Sequence, residues 1–192
     1  MNSLLMLALQ CCVAALVCAA PVHLPDDADF EQTLEKAQSL VKKILFDIPS
    51  AQKDLTLDAS SHTGNLQLML KTLGIPPNPT IKPISAHFTL EVCLQRMSLG
   101  LQLHHSLLRD LTSASTIAIK HLQVDLRDLQ ALVNKMQKQS QLSEEPSFTL
   151  SISGTYDVQV ATHLALQQLR IFSHDLGRSL RNIQASLPGT QA

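Results

Sequence analysis

Aromatic and charged residues are both scarce in this sequence. Tryptophan is absent, aromatic residues make up 3% of the 192 residues, and charged residues make up 16%. The formal net charge is -1 and no basic run is present, so nothing favours binding to a phosphate backbone. Glycine and proline are few, at 6 and 9 residues, which argues against a β-sandwich or a barrel. We therefore expect a helical protein with no nucleic-acid partner.

The sequence also lacks the short motifs that carry catalysis or bind metal. It has no Gly-rich phosphate loop, no Cys-x-x-Cys pair and no His-Glu-x-x-His helix. His104 and His105 are adjacent, so on a helix they point to different faces and do not share one metal ion. We therefore expect no enzyme, no cofactor and no metal site.

The N-terminal segment is the most apolar part of the chain. Residues 4–17 are apolar apart from Gln10, and the small residues Ala19 and Ala20 follow. This run is shorter than the roughly 20 residues that a bilayer requires, which argues against the alternative of a membrane anchor. We predict a signal peptide over residues 1–19, with cleavage one residue later as the alternative. The mature protein is then secreted and extracellular, without membrane insertion.

Removal of the signal peptide determines which cysteines remain in the mature protein. Cys11, Cys12 and Cys18 leave with the signal peptide, so only Cys93 remains and the mature chain forms no internal disulfide. A single thiol in a secreted protein is either buried as a small hydrophobe or used for an intermolecular bridge. Because Cys93 lies on an apolar helical stripe, we expect a free, buried thiol in a monomer.

Apolar residues recur at three-four spacing in four long segments, which is the pattern of amphipathic helices. Pro49 is expected to end or kink the first helix near Ile48, and Pro83 is expected to lie in the first turn of the second. His104 is the one polar residue on the apolar stripe of the second helix. A shorter apolar segment at residues 66–73 predicts one or two helical turns. The predicted helices are helix A at about 28–48, helix B at about 83–111, helix C at about 115–139 and helix D at about 156–187.

The lengths of the connections predict the order of helix directions. Helices of about 25 residues are about 40 Å long, so a crossover between parallel helices needs about a dozen extended residues. The A–B and C–D connections are longer than that, whereas the B–C link is far shorter. We therefore predict one all-α domain over residues 20–192, a four-helix bundle with up-up-down-down topology. Growth hormones and cytokines have two long crossovers of this kind.

Several short motifs resemble one cytokine family. The segment Leu73-Gly74-Ile75-Pro76 before helix B, the pairs Cys93-Leu94 and Gly100-Leu101 within it, and Leu122-Gln123-Val124-Asp125 in helix C resemble the interleukin-six and granulocyte colony-stimulating factor family of long-chain helical cytokines. The chain departs from the family at two positions of helix B. Pro83 stands where the family has a cysteine, and His104 stands where it has an aromatic residue. Both family disulfides are absent.

The resemblance implies a secreted growth factor that binds and dimerises a class I cytokine receptor, so that kinases attached to the receptor chains act on each other. The implied target is granulocyte-lineage cells, through a receptor ectodomain of the granulocyte colony-stimulating factor type. A second receptor contact is implied near Asn65, where the family has a glutamate. Ser39 likewise stands where the family has an acidic residue. The implied receptor-binding residues are Lys36, Ser39, Leu40, Lys42, Lys43, Val124, Asp125 and Asp128.

Helix geometry groups most of these residues without reference to the family. At 100° per residue, a helix wheel groups Lys36, Ser39, Leu40 and Lys43 on helix A. On helix C it groups His121, Val124, Asp125 and Asp128, from the edge of the core stripe to the outer face. Leu40 and Val124 are apolar among polar neighbours, as interface residues often are. We expect Asp125 and Asp128 to be surface residues whose reversal to lysine leaves the fold intact.

Three other interpretations remain open at this stage. The two helix faces are simply solvated, or the chain is another interleukin-six-type cytokine. The third is a secreted lipid-binding protein with amphipathic helices, suggested by the leucine-rich stripes.

Overall fold

The computed structural model describes residues 27–55, 66–85, 88–111, 116–137 and 147–187. It divides the chain into one unit over Met1–Phe30 and another over Glu31–Ala192. The predicted signal peptide at residues 1–19 and the implied contact at Asn65 lie outside the described residues. Five helices occur in the described part of the chain, which has no β-strand, so the predicted all-α class is confirmed. The helices are α1 Asp27–Lys53, α2 Leu66–Thr72, α3 Leu90–Asp110, α4 Ile117–Gln137 and α5 Thr155–Ala185.

The predicted end of the first helix is wrong. Helix α1 continues through Pro49 to Lys53 instead of stopping at Ile48. Proline inside a helix removes one backbone hydrogen bond and costs about 3 kcal/mol. Ala51 and Leu55 beyond the proline are nevertheless buried. Burial of these apolar residues offsets the local cost, so the helix extends past the proline.

The predicted start of the second helix is also wrong. Helix α3 begins at Leu90, seven residues after Pro83. Thr89 caps it, because its hydroxyl accepts a hydrogen bond from the backbone N–H three residues later at 3.3 Å. Just before the cap, the backbones of Ser85 and Phe88 exchange two hydrogen bonds, of 2.9 and 3.1 Å, as an isolated antiparallel β-bridge. Helices α4 and α5 agree with their predicted bounds to within two residues at each end.

The predicted apolar stripes form the core. Of their members only Leu90 is half-buried, and all the others are buried. The buried stripe positions of α1 are Phe30, Leu34, Ala37, Val41, Ile44 and Ile48. Those of α3 are Cys93, Met97, Leu101, His104 and Leu108, followed by Leu111. Those of α4 are Ile119, Leu122, Leu126, Leu129, Val133 and Met136, and those of α5 are Val160, Leu164, Phe172, Leu176, Leu180 and Ile183, followed by Leu187.

Helix α3 packs against both α4 and α5, and α2 packs against α5. Helix α1 contacts α5 through Gln38, whose side-chain amide donates to the Leu180 carbonyl at 3.4 Å and to Gln184 at 3.0 Å. Helix α1 also contacts α4, through an ion pair between Lys43 and Asp125. Helix α1 thus contacts α4 along one edge and α5 along the other.

The two long connections meet each other. Helix α2 fulfils the prediction of helical turns near residues 66–73. Two residues after it ends at Thr72, the chain turns at Gly74, which has a φ of 72°. A side chain at Gly74 would collide with the Thr149 carbonyl, so glycine is required there for two reasons. Beside this turn the Ser151 N–H donates to the Leu73 carbonyl at 3.1 Å. This hydrogen bond joins the connection before α3 to the connection before α5.

Cys93 is a free cysteine on the buried face of α3. Its side chain is fully enclosed, and a hydrogen bond links it to Ser179 on α5. Burial raises the pKa of the Cys93 thiol to about 11, although the hydrogen bond from Ser179 lowers it slightly. The thiol is therefore protonated and shielded at neutral pH, and the prediction that it is buried is confirmed.

Gly100 on α3 lies close against Phe172 on α5. A Cβ at this position would overlap the ring of Phe172, which is itself buried. We expect Gly100→Ala to lower the free energy of unfolding by about 1–3 kcal/mol, because overpacking outweighs the better helix propensity of alanine. Gly177→Ala is the matched control, because its new Cβ would lie 3.3 Å from Val41 and would meet no ring. Urea unfolding of both variants measures the difference, and equal stabilities would mean that Phe172 moves aside freely.

Candidate interaction surface on helices α1 and α4

The outer face of α1 carries four of the implied receptor-binding residues. Lys36, Ser39 and Lys43 recur at three-four spacing and are exposed, and Leu40 beside them is half-buried. The apolar stripe on the opposite side holds these side chains toward solvent. This part of the predicted site is brought together by the single helix α1.

An ion pair joins this face to α4. The Lys43 ammonium donates to the Asp125 carboxylate and also lies 3.3 Å from Asp47, one turn along α1. The Lys43 side chain is 52% exposed, whereas that of Asp125 is 11% exposed. The hydrogen bond to Asp125 is the main cause that raises the pKa of Lys43, with desolvation acting in the opposite direction and Asp47 adding to the increase. Lys43 is therefore charged and held between two carboxylates.

Asp125 corrects one expectation drawn from the sequence. We expected a surface residue whose reversal leaves the fold intact, but Asp125 is buried, with 8% of the residue exposed. It lies directly beside the core stripe of α4, one residue before Leu126. At that edge of α4, the contact with α1, called here the α1–α4 seam, covers the carboxylate. Asp125 is therefore primarily the ion-pair partner of Lys43 within the protein.

The outer face of α4 remains open. Asp128 is exposed, with a weak ion pair of 3.5 Å from its carboxylate to Arg127 on the same helix. Val124 is 45% exposed despite its apolar side chain. His121 is exposed on the same side. Val124 and Asp128 therefore lie on a solvent-facing surface, as the sequence predicted.

Two exposed apolar residues were missed in the sequence. Phe46 is 80% exposed and lies three residues after Lys43, so it shares the outer face of α1. Ile117 is 75% exposed and lies seven residues before Val124, on the same side of α4 and about 10 Å along the helix. A helix wheel would have found both, because neither lies on the core stripe. We call the set Phe46, Ile117, Val124, Asp128 and the Lys43–Asp125 pair the α1/α4 face.

Lys42 does not belong to this face. It lines a groove between α1 and α5 with Val41, Gly177 and Arg181. Adjacent helical residues are 100° apart, so Lys42 and Lys43 point to opposite edges of α1. The structure thus separates two lysines that the sequence analysis had placed in one surface.

The described residues contain no group of three or more histidine, cysteine or acidic side chains placed to bind a metal ion. Among these residues, no helix is both long enough and apolar enough to cross a membrane. The α1/α4 face combines exposed apolar side chains with charged ones, an arrangement suited to contact with a protein surface.

No protein-family model matches the chain, and none of the curated proteins matches it.

Proposed function

We propose that this protein is a secreted cytokine that binds and dimerises a class I cytokine receptor and so drives proliferation and differentiation of granulocyte-lineage cells. The observation that carries the proposal is the α1/α4 face, where three exposed apolar side chains lie on the two helices that an interhelical ion pair joins. Apolar side chains that share an exposed face with charged ones are typical of a binding surface. The motifs shared with long-chain cytokines support the same class.

An up-up-down-down bundle belongs to this proposal. Contacts between α1 and α5 support it, because residue numbers rise along one helix as they fall along the other. Gln38 bonds to Gln184, and further along α1 Val41 packs on Gly177. These contacts are those of an antiparallel pair.

In the contacts between α3 and α5, residue numbers also rise along one helix as they fall along the other. Cys93 bonds to Ser179, and later in α3 Gly100 lies against Phe172. If α1 and α3 are both antiparallel to α5, they are parallel to each other. The short link from Leu111 to Thr116 then favours an α4 that is antiparallel to α3.

The proposed mechanism is binding without chemistry. Phe46 and Val124 would bury apolar area against the receptor, while Asp128 and Lys36 would form charged contacts at the rim. Lys43 and Asp125 would hold α1 and α4 in register beneath them. Two receptor chains brought together in this way would place their kinases within reach of each other.

The test is binding of the mature protein to an immobilised receptor ectodomain of the granulocyte colony-stimulating factor type. We expect Phe46→Ser to weaken binding by about thirtyfold or more, as loss of a central aromatic contact does. Asp128→Lys should weaken it by about tenfold, chiefly through slower association. Both residues are exposed, so stability should change by about 0.5 kcal/mol or less.

Arg96→Glu is the control, since it reverses an exposed charge on α3, away from the α1/α4 face. It should bind as the parent does. Binding by Phe46→Ser and Asp128→Lys at parental strength would contradict the proposed face. No binding by the parent, with binding to a different interleukin-six-type receptor, would favour that alternative. Partitioning onto liposomes with a gain in helicity would favour a lipid-binding protein instead.

A further inference from the structure

A groove of about 380 Å³ runs between α1 and α5, on the opposite edge of α1 from the α4 seam. Gly177 has no side chain, which leaves space at the floor of the groove. A Cβ there would lie 3.3 Å from Val41 and 3.7 Å from the Arg181 guanidinium. Arg181 therefore lies close over the floor of the groove. The absence of a side chain at Gly177 keeps the groove open along its length.

The charged residues that line the groove are all basic. They are Lys42 from α1 and Arg178 and Arg181 from α5, and the imidazole of His174 lies beside them. Arg178 pairs with Asp175, which lies outside the lining. Within the described residues neither Lys42 nor Arg181 forms an ion pair. Positive charge is thus concentrated here in a chain whose formal net charge is -1.

The spacing of these basic side chains suits a ligand with repeated anionic groups. Along α5, His174 and Arg181 are seven residues apart, which is about 10 Å, and Arg178 lies between them. Lys42 faces them across the groove. Gln38 also lines it, with its amide nitrogen donating to α5. Guanidinium and ammonium groups bind sulfate strongly, and an amide oxygen accepts from a hydroxyl group.

We propose that the α1/α5 groove binds a sulfated polysaccharide. No aromatic residue lines the groove, which disfavours stacking of nucleic-acid bases. The site is separate from the α1/α4 face, so one molecule can hold the polysaccharide and the receptor together. Such binding would retain the secreted protein near a cell surface or matrix. Lys42, which the family resemblance implied as a receptor contact, acts here in polysaccharide binding.

The test measures binding of a heparin octasaccharide to the mature protein by titration calorimetry, at 50 and at 150 mM NaCl. We expect the Lys42→Ala, Arg181→Ala double variant to bind at least about tenfold more weakly than the parent. For the double variant, the slope of log affinity against log salt concentration should be smaller in magnitude by about two. Two fewer positive side chains contact the ligand, so about two fewer counterions are released on binding. Arg96→Ala removes an exposed charge outside the groove and should bind within about twofold of the parent.

Three results would overturn the inference. These are no binding at 50 mM NaCl, equal weakening by Arg96→Ala, and equal affinity for a polyglutamate peptide of the same charge. Receptor binding of the double variant is measured alongside. We expect it to be unchanged, which keeps failure of the groove distinct from failure of the proposed receptor face.

Discussion

The His104→Phe variant should stay folded at a lower pH than the parent protein. Burial lowers the pKa of His104 from its usual value of 6.5 to about 3 in the folded protein. Below pH 6.5 the unfolded chain therefore binds a proton that the folded protein does not. Stability falls as the pH drops from 6.5 toward 3, by about 1.4 kcal/mol per pH unit and roughly 5 kcal/mol in all. Phenylalanine binds no proton and removes this loss.

The surroundings of His104 explain the size of the effect. The ring packs against Phe172 with 5.2 Å between ring centroids, and neither ring nitrogen has a hydrogen-bond partner in the described residues. Unpaired buried polar groups cost about 1–3 kcal/mol, so phenylalanine should also match or exceed the parental stability at pH 7. Slight overpacking by the larger ring acts against this gain.

Urea unfolding followed by circular dichroism, from pH 7.5 to pH 4, measures the profile. The control is His121→Ala, which removes an exposed histidine and should keep the parental slope on the acid side. Parallel profiles for the parent and His104→Phe would show that the buried imidazole is not the group that responds to acid. A large loss of stability in His104→Phe at pH 7 would show that the imidazole makes a specific bond.

Asp125→Lys should destabilise the protein by about 2–4 kcal/mol, whereas Asp128→Lys should leave it nearly unchanged. The Asp125 carboxylate is almost enclosed and pairs with Lys43, so a lysine at this position places two ammonium groups together at the α1–α4 seam. Breaking a buried ion pair costs about 3–5 kcal/mol, and the half-exposed Lys43 reduces that range here. Asp128 is exposed, so the same charge reversal there is solvated.

A charge exchange separates the pair from other effects. Lys43→Glu with Asp125→Lys restores opposite charges across the seam and should recover about half of the lost stability. Recovery is incomplete because Asp47 then faces a carboxylate at position 43. The prediction would be falsified by equal stability of the Asp125→Lys and Asp128→Lys variants. Receptor binding by Asp125→Lys is interpretable only at matched folding, so Asp128→Lys is the cleaner probe of the α1/α4 face.

The sequence predicted the helices and most of the core, because three-four periodicity depends only on the geometry of one helix. Leu34, Leu126 and Phe172 are buried where their stripes placed them. The sequence predicted the ends of the first two long helices less accurately. Pro49 was weighed by its local cost alone, and the burial of Ala51 that offsets this cost comes from other parts of the chain. The cap at Thr89 is a local signal, whereas the preference of proline for the first turn of a helix points to Pro83.

The sequence alone also determined which residues share one helix face, and it found Val124 and Asp128 in this way. Tertiary structure decided which faces meet. It buried Asp125 against Lys43, and it directed Lys42 to α5 instead of α4. It also left the His104 imidazole without a partner. The physical reason is that a helical period fixes angles about one axis, whereas burial, ion pairing and desolvation depend on which second helix covers each edge.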